Sequence, residues 1–238
     1  MKTVAVGIFC KTPAAGLSKT RLSPPLRPDE CAALSACFIR DLTATIDQLA
    51  REGGVTGYAV YTPAGTEPAL RALLPHGFRL LLQREGDFGT RLVQATGELL
   101  AAGHSGAILV NADSPTLPTA ILREAVDATR RGGVVVLSPA FDGGYTLIGV
   151  SKLHERLYAD IPWSTAQVHR QTEERAAEIG LPVVNVPGWY DVDDAESLAL
   201  LEAELAGEPL RFANGANAPA TRAYLSARST PLRAGLSR

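Results

Sequence analysis

The sequence is short of cysteine, of long apolar runs and of any charge excess, and each shortage removes a class of protein. Three cysteines, Cys10, Cys31 and Cys37, stand in 238 residues. So sparse and odd a set argues for a reducing compartment and against a disulfide scaffold. Cys31 and Cys37 have neither the CxxC spacing nor the nearby histidine of a metal site, so all three read as small core residues. No run approaches the roughly 20 apolar residues of a membrane span, and the start lacks the apolar stretch of a signal peptide. The expectation is a cytoplasmic protein with no membrane partner. A formal net charge of −2 gives no electrostatic reason to expect nucleic acid. There is no internal repeat and no evident linker, and 46% of the residues are hydrophobic, which suits one domain with a sizeable core.

What is present begins with Val4-Ala5-Val6-Gly7-Ile8-Phe9-Cys10, a short apolar run that reads as a buried strand. It leads into Lys11-Thr12-Pro13-Ala14-Ala15-Gly16-Leu17-Ser18-Lys19-Thr20-Arg21-Leu22, a loop with small residues and three cations. Such a loop suits a nucleotide phosphate: small residues let backbone N–H groups approach, and Lys11, Lys19 and Arg21 neutralise charge. Arg21 can also grip two phosphate oxygens through its planar fork. Pro13 and Ser18 stand where a Walker loop needs glycine, and Gly16 stands alone where a dinucleotide fingerprint needs three. A surface loop with solvated cations is the competing reading.

Further along, strands and helices alternate. Helical spacing predicts a helix from Pro28 to about Arg51, stopped at Gly53-Gly54. Strands are expected at Val55 to Tyr61 and Phe78 to Leu82, with a short helix at Glu67 to Leu74 between them. The polar loop Gly86-Asp87-Phe88-Gly89-Thr90-Arg91 opens a long helix to about Ala102; Asp87 is a helix cap or a ligand, and Arg91 a solvated cation or a second anion ligand. The strand Ala107 to Val110 runs into Asn111-Ala112-Asp113-Ser114-Pro115, which fixes Asp113 just past a strand's carboxyl end, where open α/β sheets bind ligands. Mg²⁺ prefers one or two carboxylates plus phosphate oxygens, so Asp113 is a candidate metal ligand. The alternative makes it a cap for the helix from Thr119 to Arg130, a role that Thr116 or Thr119 suits better. Asp142-Gly143-Gly144 joins the strand Val134 to Leu137 to the strand Thr146 to Val150 and reads as a hairpin flanked by Phe141 and Tyr145. Pro162-Trp163-Ser164-Thr165 opens a helix to Ile179, with Trp163 a pocket lid or a hydrophobic staple. After a last strand, Val183 to Val186, Asp191 and Asp193 alternate and point the same way on an extended segment, which makes them candidates for a second metal carboxylate. From Gly207 the composition shifts to Asn, Ala, Pro, Ser and Arg, which reads as a tail over 207–238 that docks on the body, reaches a neighbouring subunit in a homodimer or stays mobile.

Six motifs in this order resemble the DUF2064 family, also called selenodomain-associated transferase 1, of the GT-A glycosyltransferase superfamily. They are Lys11 with Lys19-Thr20-Arg21-Leu22, Gly86 to Arg91, Asp113 to Leu117, Asp142 to Tyr145, Pro162 to Thr165, and Asp191-Val192-Asp193. The resemblance covers about residues 3–203; molybdenum-cofactor and phospholactate guanylyltransferases are more distant relatives. It implies a nucleotide-diphospho-sugar transferase (GT-A) fold over 1–206: a mainly parallel mixed sheet with helices on both faces. It implies that Lys11, Lys19 and Arg21 meet phosphates, that Asp113 binds Mg²⁺ or Mn²⁺, and that Asp142, Gly143, Gly144 and Tyr145 line the second-substrate side. Two departures are Asn111, where members carry Gly, and Asp194-Ala195-Glu196-Ser197, where they often carry Thr-Pro-Glu-Asp.

The resulting expectation is a metal-dependent transferase with a nucleotide-linked donor, a nucleoside diphosphate sugar (hence a glycosyltransferase), and a small-molecule acceptor. Asp113 with Asp191 or Asp193 would hold the metal, Lys19 and Arg21 would share the phosphate charge, and Asp142 would take the acceptor proton. The candidate nucleotide and substrate residues are Lys11, Pro13, Gly16, Lys19, Arg21, Asp87, Arg91, Gly143, Gly144, Tyr145 and Trp163. Two rival readings are a nucleotidyltransferase that releases pyrophosphate and a non-catalytic nucleotide-binding protein.

Overall fold

A computed structural model describes residues 2–210, 212 and 215–229. Seven strands form one sheet: β1 (Val4–Lys11), β2 (Val55–Thr62), β3 (Arg79–Leu82), β4 (Gly106–Asn111), β5 (Val135–Pro139), β6 (Tyr145–Val150) and β7 (Val183–Asn185). Their order across the sheet is β3-β2-β1-β4-β6-β5-β7. β1, β2, β3 and β4 run parallel; β6 is antiparallel to both β4 and β5, because Asp142-Gly143-Gly144 turns the chain back as a hairpin. This is the mainly parallel mixed sheet that the alternation of elements requires.

Side-chain alternation along the strands splits the core into two layers. Val4, Val6 and Ile8 of β1 join one apolar cluster, while Ala5 of the same strand joins the other. The first cluster is closed by α1 (Pro28–Glu52), α4 (Thr119–Arg131) and α6 (Ala195–Ala206). The second is closed by α3 (Phe88–Ala101) and α5 (Val168–Glu178); a short helix, α2 (Glu67–Arg71), links β2 to β3. Cys10, Cys31 and Cys37 are buried free thiols. Among the described residues no helix is long and apolar enough to cross a membrane.

Two elements depart from the sequence expectation. α5 begins at Val168, a few residues after the Ser164 or Thr165 that the sequence offers as its cap; Ser164, at φ 65°, stands in the loop before it. The stretch from Gly207 is not featureless. Pro219–Ser229 forms a helix, α7, that packs on α1 and buries Leu225. Its first turn is capped from a distance: the buried Asp41 carboxylate of α1 accepts from Ala220 N (3.0 Å) and Thr221 N (2.8 Å). Part of the expected tail thus docks on the body; 211, 213–214 and 230–238 lie outside the described residues.

Asp41→Ala should therefore strip two orphan N–H groups of a charged partner and cost about 2 kcal/mol. The melting temperature should fall by about 4–8 °C, with early amide exchange in 219–229. An unchanged melt with α7 still protected would contradict this capping role.

Candidate active site

Three distant segments meet at the carboxyl ends of β1 and β4. The first is the loop after β1, which ends in a 3-10 turn at Thr20–Leu22. The second is the turn after β4. There Asn111 Oδ1 accepts from Ser114 Oγ (3.0 Å) and from Asp113 N (3.4 Å), which fixes the corner that projects Asp113. The residue that departs from the family pattern thus builds this corner. The third is the extended stretch before α6, held to the second by Val192 N donating to Asp113 O at 2.9 Å. The start of α6 closes with a capping box between Asp194 and Ser197, so the departure there retains the cap.

Lys19 joins all three. Its side chain is 6% exposed, and Nζ lies 2.7 Å from Asp113 Oδ1 and 2.9 Å from Asp193 Oδ1. A third bond runs to Val192 O at 2.6 Å. The ammonium thus faces three oxygens, with hydrogen bonds to Val192 O and Asp193 and an ion pair to Asp113. Burial disfavours the charge, but the Asp113 and Asp193 carboxylates outweigh it and hold the lysine above its ordinary pKa. Lys19 also stands in the left-handed region, φ 49° and ψ 41°, a conformation that costs a non-glycine residue about 1 kcal/mol. Lys19, expected to meet phosphate, here faces two carboxylates and lines the edge of a cavity from its buried side.

Arg21 is different. It pairs with Asp193 Oδ2 through one Nη, and its side chain is 72% exposed. Lys11, at the end of β1, is exposed on the same side and lines a cavity of about 300 Å³ together with Lys19, Arg21 and Asp113. Arg21 and Lys11 are the exposed cations of this cavity, and Lys19 lines it from its buried side. Pro13 and Gly16 line neither this cavity nor the larger one beside it; Gly16, at φ 73°, shapes the loop.

That larger cavity, about 400 Å³, is bounded by Asp113, Asp142, Asp191 and Asp193 on one side and by aromatic rings on the other. Trp163 meets Phe88 edge-on at 5.0 Å between ring centres and Tyr145 at 6.4 Å; Phe88 in turn meets Phe9 at 5.6 Å. Trp163 is thus part of a pocket wall and not a helix staple. Gly144 lies on the wall; Gly143 lies behind it, at φ 91°, where a Cβ would come 2.3 Å from Ala166 O. Gly143 therefore lets the hairpin approach the loop that carries Trp163. Asp142 Oδ1 accepts from Gly144 N at 2.9 Å, which stabilises the turn and leaves the second oxygen free.

Two expected ligands lie elsewhere. Asp87 caps α3 by accepting from Thr90 N at 2.7 Å, and it does not line the cavity. Arg91 donates to Gln83 Oε1 at 2.9 Å beneath the Phe9 and Phe88 rings, so it buttresses the aromatic wall. Sequence reasoning missed Phe9 and Phe88 as site residues, while Asn111, noted there as a departure from the family pattern, lines the larger cavity. An apolar ring at the first position of α3 and 39% exposed was the available signal for Phe88.

The carboxylates differ in what balances them. Asp193 has an oxygen on each of Lys19 and Arg21, while Asp113 has one on Lys19. Asp191 is pushed up to about 7 by burial and by the like charges of Asp142, Asp193 and Asp113. Among the described residues no three Asp, Glu, His or Cys groups can enclose a metal ion by themselves. Mg²⁺ and Mn²⁺ do not require that; one or two carboxylates with phosphate oxygens suffice. Hard oxygen donors with uncompensated negative charge fit such an ion, and Asp113 with Asp191 fits better than the doubly paired Asp193.

The fold, a mainly parallel mixed sheet flanked by helices, matches that of nucleotide-diphospho-sugar transferases. A Desulfovibrio desulfuricans G20 protein provisionally assigned to that class superimposes with a TM-score of 0.82 at 26% identity, covering 96% of each chain. A cytidylyltransferase from Leptospira borgpetersenii matches at a TM-score of 0.55 and 13% identity over 95% of this chain and 94% of its own. Glucosyl-3-phosphoglycerate synthase from Mycobacterium tuberculosis, solved with Mn²⁺, UDP and phosphoglyceric acid, matches at 0.50 and 14% identity over 88% of this chain and 80% of its own. No curated protein matches in sequence. The chain belongs to the DUF2064 family, described as uncharacterized protein conserved in bacteria, whose model matches residues 45–165.

Two predictions follow the electrostatics. Lys19→Met leaves Asp113 and Asp193 facing one another without a cation, and should cost about 2–3 kcal/mol after allowance for their partial exposure. Urea melts test this, and Lys19→Met with Asp193→Asn should recover part of the loss. The second concerns pH. The folded pKa of Asp191 lies near 7, above its ordinary value of 3.8, so the folded state holds the extra proton between them. Stability of the metal-free protein should fall as pH rises from about 4 to about 7 and then level. Melts in EDTA across that range should show the slope in the wild type and less of it in Asp191→Asn.

Proposed function

We propose that the protein is a metal-dependent transferase whose donor is a nucleoside diphosphate sugar. The observation that supports this most is the pairing of two unlike sites across one wall. A phosphate-sized, cation-edged cavity and an aromatic-walled cavity share Asp113, Asp193 and Arg21. The fold neighbours add that proteins of this shape include a glucosyl-3-phosphoglycerate synthase crystallised with Mn²⁺ and UDP.

In this reading the donor diphosphate lies toward Lys11 and Arg21, whose charges hold its oxygens and favour the departing phosphate. Asp113 and Asp191 would hold Mg²⁺ or Mn²⁺. Such an ion, when bound, supplies Lewis-acid stabilisation of the leaving diphosphate. Lys19 keeps Asp113 in place and Asp193 neutralised. The acceptor hydroxyl oxygen forms a bond to the sugar carbon, and its proton passes to the Asp142 carboxylate. The bond from that carbon to the donor phosphate oxygen breaks, and the electron pair leaves with the nucleoside diphosphate. Phe88, Tyr145 and Trp163 keep water from competing with the acceptor.

Nucleotidyl transfer from a triphosphate is the less favoured reading. Its attraction was a loop with three cations, and one of them, Lys19, is paired with carboxylates.

Titration calorimetry with UDP, GDP and CDP, with and without Mn²⁺, tests the proposal. Metal-dependent binding is expected for at least one nucleotide, with Asp113→Asn weakening it by at least about tenfold while the fold is retained. Metal-independent binding would favour a non-catalytic nucleotide-binding protein. Pyrophosphate release from a triphosphate would favour nucleotidyl transfer.

A further inference from the structure

The lining of the larger cavity is one-sided in charge. Asp113, Asp142, Asp191 and Asp193 face it against a single cation, Arg21, which is itself bound to Asp193. Lys19 is buried against Asp113 and Asp193. A divalent ion at Asp113 and Asp191 would offset part of this charge, but the donor diphosphate that accompanies it adds negative charge of its own and draws on Arg21 and Lys11. The opposite wall is made of Phe88, Tyr145 and Trp163, with Leu92 and Ile148 beneath. A pocket that joins apolar ring surfaces to four carboxylates and to the Asn111, Ser164 and Thr165 side chains, which both give and take hydrogen bonds, fits a ligand with C–H faces and several hydroxyl groups.

We propose that this cavity receives an acceptor without phosphate or carboxylate: a neutral polyhydroxylated molecule that directs one hydroxyl to Asp142. This rests on the transferase reading above and names its second substrate class. Trp163 and Asp142 set the selection. The ring supplies the apolar contact, and the carboxylate takes the hydroxyl proton while repelling anions. In the transfer itself, the hydroxyl oxygen bonds to the donor carbon, the proton stays on Asp142, and the nucleoside diphosphate departs with the electron pair.

Saturation-transfer NMR with matched pairs tests it: glucose against glucose 6-phosphate, and glycerol against glycerol 3-phosphate, at equal millimolar concentration. The measurement is made on the full chain, first without nucleotide and then with UDP and Mn²⁺. A neutral member should bind, and its phosphate ester should bind at least about tenfold more weakly. Trp163→Ala should abolish the neutral signal and Trp163→Phe should retain it, each with circular dichroism as a check on folding. Asp142→Lys should raise binding of the phosphate esters. Phosphate esters that bind as well as the neutral members, or no binding of any neutral member, would overturn the proposal. Because the first arm contains no nucleotide, its result stands apart from any failure of the donor reading.

Discussion

One ammonium group holds the site together. Lys19 meets Asp113, Asp193 and the Val192 carbonyl, and the latter two residues lie more than 170 positions away in the chain. Each bond ties the loop after β1 to a segment remote in sequence, and Arg21 adds a second tie to Asp193. A lysine suits the place and an arginine would not. Three acceptors converge on a point, whereas a guanidinium spreads its donors in a plane. The cost is visible in the backbone, since Lys19 is left-handed without being glycine. Strain at that residue persists because the two carboxylates and the carbonyl determine where its side chain must go.

The sheet supplies the space that this junction borders. β1 and β4 end side by side, and parallel strands deliver their following loops to the same edge. β6 then enters antiparallel beside β4, so the hairpin at Asp142 reaches that edge from the other direction. The aromatic wall follows from the same placement. Tyr145 opens β6, Phe88 opens α3, and the loop before α5 stays non-helical long enough for Trp163 to fall between them. Gly143 permits the last approach, because the backbone of Ala166 occupies the place where a side chain would stand.

Much of this was legible before any coordinates. Strand and helix periodicities are local, so all seven strands and the order of the major helices could be read, with ends shifted by a few residues. The place of Asp113 was legible as well, because it directly precedes Ser-Pro just past a buried strand. The roles of the cations were not. Nothing near Lys19 in sequence says that its partners are carboxylates, since Asp113 and Asp193 come from remote segments. Asp87 and Thr90 carry a local signal, and there the cap competed with a motif that suggested a ligand. α7 was hidden because its cap, Asp41, belongs to another helix; composition alone made that stretch look like a tail. α5 starts a few residues later than the pattern suggests, with Ser164 at a positive φ in the loop before it.

Five aspartates near this site share one chemistry and differ only in surroundings. Asp87 spends an oxygen on the first turn of α3, which leaves it outside the cavity. Asp193 is balanced twice, by Lys19 and Arg21, so it behaves as a structural anion. Asp113 is balanced once and keeps an oxygen for something else. Asp142 gives one oxygen to its own turn. Asp191 receives burial and three like charges, and so it is the one that holds a proton near neutrality. That ordering runs from satisfied to unsatisfied across the wall between the two cavities. Our proposal that Asp113 and Asp191 hold a divalent cation draws on this ordering, since Asp193 is already paired with two cations. The same gradient explains why the cationic loop matters indirectly: by neutralising Asp193, Lys19 and Arg21 leave the remaining carboxylates as the local excess that a cation and a hydroxyl would meet.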